Sequence, residues 1–395
     1  MNSPNLKYSA EYLHDGTEFV KDKVLVADAQ GTVVDLIPAS EAGEGVLQLE
    51  GLLCPGFINA HCHLELSHMR GVIPEHTGLV DFLIAVMQKR AHPEEQILEA
   101  ALAAETEMLH AGIVAVGDIS NTATTIAVKT KGRLYYHNFV ETIGLKEEEA
   151  AHRIDQSLQT SLLFTQNGMS ASVVPHAPYS VSGSLMQLLD GYGQSDILSI
   201  HNQESREEDK LFRGKKSGFQ RLYRTLGLDP LKPVAPARSS LQAWLPHFTH
   251  RQQLLSVHNT YTSKEDIQFA TGSGHRIYWC LCPGANRYIE NRMPPVDLLM
   301  NQESRIILGT DSLASNHTLS ILEEIKTLAT FFPSLSLETM LRWATSQGAK
   351  ALGLSERFGR FRPGCRPGIV QLHPLDPNRM SSPVVTPVTR IERIK

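Results

Sequence analysis

The 395-residue chain predicts an α/β protein, a closed (β/α)8 barrel of parallel strands over residues 51–359 with a small composite β-sandwich formed by 1–50 and 360–395. Three observations carry that expectation. Apolar strand-type runs alternate with helix-type runs eight times, four of those runs end in histidine or aspartate, and all-strand segments recur near both ends of the chain.

The terminal segments come first. Residues 20–27 and 31–37 read as short strands between turns, and the same texture returns after Gly359, in 368–372 and 384–394. Two sequence-distant β segments flanking one α/β block predict a small domain assembled from both. Between them the expected parallel strands are 53–59, 113–118, 134–141, 171–176, 198–201, 254–258, 276–280 and 305–311, with strong helical periodicity in 94–111 and 146–166. Two connections, 64–89 and 205–250, are too long to be simple linkers, and both follow strands that end in histidine. Their apolar and basic residues (Met69, Phe82, Leu83 and Met87 in one; Phe212, Arg213, Phe219, Arg221, Tyr223 and Trp244 in the other) either shape a pocket or form a private core.

Composition narrows the function. With 42% hydrophobic residues and a net charge of -5, nothing points to nucleic acid or membrane as partner. The first thirty residues lack an apolar stretch after a basic start, which predicts a cytoplasmic protein. Five cysteines, three of them on or beside strands (Cys62, Cys280, Cys282), do not make a disulfide framework. The run Cys280-Leu281-Cys282-Pro283 also lacks the spacing of the unrelated zinc nucleoside deaminases.

His61-Cys62-His63 is the motif that carries most chemistry. Strand side chains alternate between faces, so histidines at i and i+2 point the same way and can share one metal ion. His201 ends the fifth strand with Glu204 three residues later, His258 ends the sixth, and Asp311 ends the eighth. In a parallel barrel those ends share one rim. Taken singly each has a plainer reading, a histidine bonded to a loop carbonyl or an aspartate capping a helix. Glu204, one short turn past His201, is the candidate proton shuttle.

These motifs, Pro55-Gly56-Phe57-Ile58-Asn59-Ala60-His61-Cys62-His63, His201-Asn202-Gln203-Glu204-Ser205, Val257-His258-Asn259 and Gly309-Thr310-Asp311-Ser312-Leu313-Ala314-Ser315-Asn316, resemble those of the amidohydrolase superfamily, in the branch that deaminates purines, pyrimidines and related heterocycles. The resemblance implies a TIM barrel with a composite sandwich, and His61, His63, His201 and Asp311 as ligands of one divalent ion, zinc by default with iron or manganese as alternatives. Such an ion leaves a position for water and lowers that water's pKa toward about 7. By resemblance Asp311 is also the base on that water, His258 orients it or the oxyanion, and His176 touches substrate. Glu65 and Ser315 are carried over as further substrate contacts, Glu65 with the alternative of supporting a histidine. Family members with two metals place a lysine after the fourth strand; Val173-Val174-Pro175-His176 has none, which favours one metal.

The stretch His63-Leu64-Glu65-Leu66-Ser67 is similar to the group that deaminates 6-aminodeoxyfutalosine, an adenine nucleoside of an alternative menaquinone route. S-adenosylhomocysteine, methylthioadenosine, guanine and chlorinated triazines stay open, as do a two-metal amide-ring hydrolase and a metal-free relative. A homodimer is expected only because dimers are common in the family. One departure stands out: Gly364-Cys365-Arg366-Pro367-Gly368-Ile369-Val370 lacks the aspartate of the family's Gly-x-x-Ala-Asp-Leu pattern.

Overall fold

The computed structural model describes residues 5–192, 197–228, 238–249, 251–300, 305–376 and 384–395. Eight strands alternate with helices: β1 (Phe57–Cys62), β2 (Ile113–Ile119), β3 (Tyr135–Thr142), β4 (Ser170–Pro175), β5 (Ile197–Asn202), β6 (Gln253–His258), β7 (Arg276–Leu281) and β8 (Arg305–Leu308). They form two four-stranded parallel sheets, β1-β2-β3-β4 and β5-β6-β7-β8. The strands read as near-continuous apolar runs because helices cover them; β2 is buried at every position. Each fully buried Val, Leu or Ile contributes about 1.5–3 kcal/mol, and one large apolar cluster runs through both sheets.

The sheets touch at both pairs of edges. The His201 N–H donates to the His176 carbonyl at 3.0 Å, linking β4 to β5. At the other junction Cys62 and Asp311 form a parallel bridge, and the His61 carbonyl accepts from Thr310 N at 3.0 Å and Asp311 N at 3.1 Å. Gly309 is required there, since a Cβ on it would lie 2.8 Å from the His61 Cβ.

The terminal segments meet in one seven-stranded sheet. Val46–Pro55 runs parallel to Leu6–His14 on one side and antiparallel to Ile369–His373 on the other. Several sequence boundaries shift accordingly. Leu53 and Cys54 belong to this sheet, paired with Gln371 and Val370, so β1 begins at Phe57 and not at 53. The break falls at Gly56, where a Cβ would sit 2.4 Å from Val114 Cγ1. Leu6–His14 was not expected as a strand, although Leu6, Tyr8, Ala10 and Tyr12 alternate with Lys7, Ser9 and Glu11 in the period of two that marks a half-buried strand. Of the expected strand 384–394 only Arg390–Arg393 is extended into the sheet. The long helices are Glu94–His110 and Ala150–Gln166, close to expectation. All five cysteines are buried and free, and no helix among the described residues is long and apolar enough to cross a membrane.

Candidate active site

The ends of β1, β5 and β6 and the segment after β8 converge. His61 lies in β1 and His63 one residue beyond it, and their Nε2 atoms are 3.2 Å apart. His201, in β5, brings its Nε2 to 3.3 Å from that of His63. Asp311 Oδ1 is 3.3 Å from His63 Nε2 and 3.8 Å from His61 Nε2. His258 closes the group, its ligand atom gathering with those of His61 and His201 within 4.8 Å. All five side chains are buried.

Backbone distortion achieves part of this placement. Gln203, His258, Asn259 and Asp311 have φ of 48°, 73°, 55° and 58°, four of the seven non-glycine residues in the left-handed region among the described residues. Each costs on the order of 1–3 kcal/mol and survives only where neighbours over-determine it. They do: Gln203 N and Glu204 N both donate to Glu208 at 2.9 Å, and the Asn259 side chain bonds Ser256 and Cys280. The turn after His63 is held from β2, where Asp118 Oδ1 accepts from Leu64 N at 2.8 Å while Oδ2 pairs with the buried Lys129 at 2.6 Å.

The donor set fits one divalent ion. Burial pushes His61, His63 and His258 down to about 4, so all three are neutral imidazoles near neutral pH. A tetrahedral ion with bonds of about 2.0–2.1 Å sets its ligands about 3.3 Å apart, close to the spacings seen. His201 Nδ1 faces the His176 carbonyl at 2.8 Å and Glu141 Oε1 at 3.2 Å, which fixes the Nδ1 proton; against the effect of burial Glu141 raises His201 to about 10, so an ion bound at Nε2 would displace a proton there. His258 Nε2 is buried with no hydrogen-bond partner, while its Nδ1 bonds Asn286 Oδ1 at 2.9 Å.

Two carboxyl groups in this site are driven in opposite directions. Burial, then the charge of Asp311, outweighs His201 and raises Glu204 well above the carboxylate range. Glu204 Oε1 lies 3.7 Å from His258 Nε2, and the Tyr179 hydroxyl donates to Oε2 at 3.5 Å. Asp311 is also pushed up by burial, but His61, His63 and His258 together hold it well below the usual range, and Ser315 Oγ donates to its Oδ2 at 2.7 Å.

A cavity of about 190 Å³ opens onto these groups, lined by His63, His176, His201, Glu204, His258 and Asp311, with Phe82, Leu83, Val86, Met87 and Leu226 among its apolar wall. Glu65 and Ser315 are not in that wall. Glu65 instead accepts from Asn121 N at 3.1 Å and Thr122 N at 3.2 Å, and Ser315 holds Asp311. The wall also contains Glu141, Arg90 and Tyr179, to which sequence reasoning gave no role. Glu141 was legible as the last residue of the expected third strand; it lies in contact with His201 and accepts from Asn121 Nδ2 at 2.9 Å.

The long connections serve both purposes considered for them. Phe82, Leu83, Met87 and Tyr223 line the cavity, whereas Met69, Phe212 and Phe219 pack in a second apolar cluster behind it. Arg213 pairs with Asp209, and Arg221 reaches Asp81 and ties the connections together. Trp244 Nε1 donates to Asn202 Oδ1 at 2.8 Å from within the main core. Residues 229–237 and 250 of the second connection lie outside the described residues.

Parallel sheets with an imidazole and carboxylate cluster at their carboxyl ends define a metal-dependent hydrolase class. Residues 52–390 match the amidohydrolase family, and the chain belongs to it. It is 27% identical over 361 residues to a 5-methylthioadenosine/S-adenosylhomocysteine deaminase of Teredinibacter turnerae, covering 86% of this chain and 75% of that one. It is 27% identical over 355 residues to an aminodeoxyfutalosine deaminase of a Nitratiruptor species, covering 85% and 83%. The crystal structure of Helicobacter pylori aminofutalosine deaminase in complex with methylthio-coformycin superposes with a TM-score of 0.79 at 23% identity, covering 92% and 91%, a likeness of fold.

Proposed function

We propose that this protein is a hydrolytic deaminase that replaces the exocyclic amine of an aminated heterocycle with oxygen and releases ammonia. The observation that carries the proposal is Glu204, a buried carboxyl held well above the ordinary carboxylate range, beside the imidazole cluster and 3.7 Å from His258. A ring amidine accepts oxygen at carbon only if the adjacent ring nitrogen gains a proton, and its amine leaves only after gaining another. Glu204 is the group placed and poised to deliver both.

An ion held by His61, His63, His201 and Asp311 would supply activation of the attacking water, and the imidazole and carboxylate donors suit zinc first, with iron or manganese also accommodated. Asp311, ionised, takes the proton that the water gives up. Glu204 protonates the ring nitrogen, recovers a proton from the hydroxyl added at carbon and passes it to the departing amine; the proton held by Asp311 then restores Glu204, and His258 turns Nε2 toward the oxygen at the reacting carbon. The carbon–nitrogen bond breaks as ammonia leaves, so the balance is amine plus water to oxo product plus ammonia. His176, in the cavity wall, contacts the substrate. Glu65 and Ser315 act through others, one holding the Asn121–Thr122 turn and one orienting Asp311. The two parallel sheets are read as one closed barrel over 51–359, with the terminal sheet as its companion domain.

The substrate reading is 6-aminodeoxyfutalosine, supported by the likeness to an aminodeoxyfutalosine deaminase. The apolar wall of Phe82, Val86, Met87 and Leu226 favours methylthioadenosine as the second reading, its thioether end being apolar. The ultraviolet absorbance of each nucleoside incubated with zinc-loaded protein separates them, because conversion of adenine to hypoxanthine shifts the spectrum. A shift with 6-aminodeoxyfutalosine that vanishes in Glu204→Gln, with zinc retained, is the expected result. No shift with any adenine nucleoside would end the adenine-nucleoside reading, and no ammonia release from guanine or an aminated triazine either would end the proposal.

A further inference from the structure

A second cavity, of about 780 Å³, lies at the opposite end of the parallel strands, between the amino ends of β2, β3 and β4 and the terminal sheet. Six cationic side chains border it, Lys129, Arg133, Arg357, Arg366, Arg393 and Lys395, and no aspartate or glutamate among the described residues does. Two of the six are neutralised, Lys129 by Asp118 and Arg133 by Glu105. The other four form no ion pair among the described residues. Arg393 spends its hydrogen bonds on main-chain oxygens, Nε on that of Lys395 at 3.3 Å and Nη1 on the Ile113 carbonyl at 3.4 Å. Arg357 lies 4.9 Å from the Phe358 ring centre and 5.8 Å from that of Tyr135. Asp28, held down by the Thr32 N–H and less by Arg366, stands outside the wall.

Unneutralised cations around one concavity repel one another and destabilise the fold unless an anion joins them. Burial, reinforced by Arg366, already pushes the Arg393 guanidinium below its usual range. Guanidinium groups match phosphoryl oxygens bidentately. The volume falls within the range of small-molecule sites, about 300–1,000 Å³, and the cavity is concave, unlike the surface an acidic macromolecule would need. Tyr135 and Phe358, both in the wall, add aromatic surface for a ring.

We infer that this cavity binds a small phosphorylated anion of nucleotide size, with its phosphoryl groups held by Arg357, Arg366 and Arg393. Bound there, the anion bridges the terminal sheet and the amino ends of β2–β4. The site is remote from the imidazole cluster and independent of the deaminase proposal.

Calorimetric titration of the zinc-loaded protein with pyrophosphate and with ADP, at about 0.15 M salt so that diffuse attraction is screened, tests it. The expected result is one saturable site whose affinity falls at least tenfold in Arg366→Glu and in Arg357→Gln, with zinc content unchanged in both. Arg366 and Arg357 are exposed, so neither variant threatens folding. Absence of saturable binding by either probe would overturn the inference. So would binding that both variants leave intact, which would assign the anion to the metal centre.

Discussion

At the carboxyl ends of the parallel strands, four imidazoles, Asp311 and Glu204 crowd a cavity of about 190 Å³; at the amino ends of β2–β4, four unpaired cations border one of about 780 Å³. The first end is over-determined. Nearly every chemical group there has a partner that fixes it: His201 the His176 carbonyl, Asp311 the Ser315 hydroxyl, His258 the Asn286 amide, and the Glu204 backbone the Glu208 carboxyl. At the second end Arg393 bonds main-chain oxygens and Arg357 lies against rings, and neither forms an ion pair among the described residues. The difference separates a site organised for reaction from one organised for electrostatic capture, where the ligand itself supplies the missing order.

The contrast breaks or sharpens under substitution. The largest effect expected is on turnover: Glu204→Gln loses about 10²–10⁴-fold in kcat while metal analysis finds zinc retained. Lys129 belongs to both ends, since it lines the cationic cavity and neutralises the aspartate that anchors the turn after His63. Lys129→Met leaves Asp118 buried and unpaired, so urea denaturation should show a loss of about 3–5 kcal/mol. Ser315→Ala removes the hydroxyl that orients Asp311, and zinc affinity in a chelator competition should fall about 10–100-fold with the fold intact.

Acid provides a fourth comparison. His14 in the terminal sheet and His137 in β3 are both pushed down to about 4 by burial. The unfolded chain, with ordinary imidazoles near 6.5, therefore binds more protons than the folded one. Stability is full above about pH 6.5 and falls as the pH drops toward 4, and denaturation midpoints between pH 7 and 5 should decline less steeply in His14→Gln. A fall confined to pH below 4 would contradict this. The smallest effect is Arg366→Glu, within about 0.5 kcal/mol of the parent stability, because that side chain is exposed and forms no ion pair among the described residues.

How much of this was legible in the sequence follows from locality. The eight strands and all five clustered side chains could be read from local signals: His201, His258 and Asp311 each end an apolar run, and His61 and His63 share a face by alternation just past another. What escaped depends on three-dimensional neighbours. Glu65 turned away from the cavity because the Asn121–Thr122 amides offered it partners, and no spacing reveals that. Glu141 escaped because a strand-end glutamate gains meaning only beside His201. The start of β1 was misread since Leu53 and Cys54 are as apolar as Phe57 and Ile58; only the crowding at Gly56 separates the two sheets.

The His61 carbonyl has a consequence for biogenesis. One oxygen receives the amides of both Thr310 and Asp311, and Asn59 grips the same Thr310 through two further bonds across 251 positions of chain. A ribosome-bound chain that has emitted only its first strands owns two histidines but no assembled donor set. The clustered donor set is therefore completed only when the segment after the eighth strand docks on the first, so a chain lacking residues 305–311 keeps the two histidines and loses both the carboxylate and the amides that hold the His61 carbonyl.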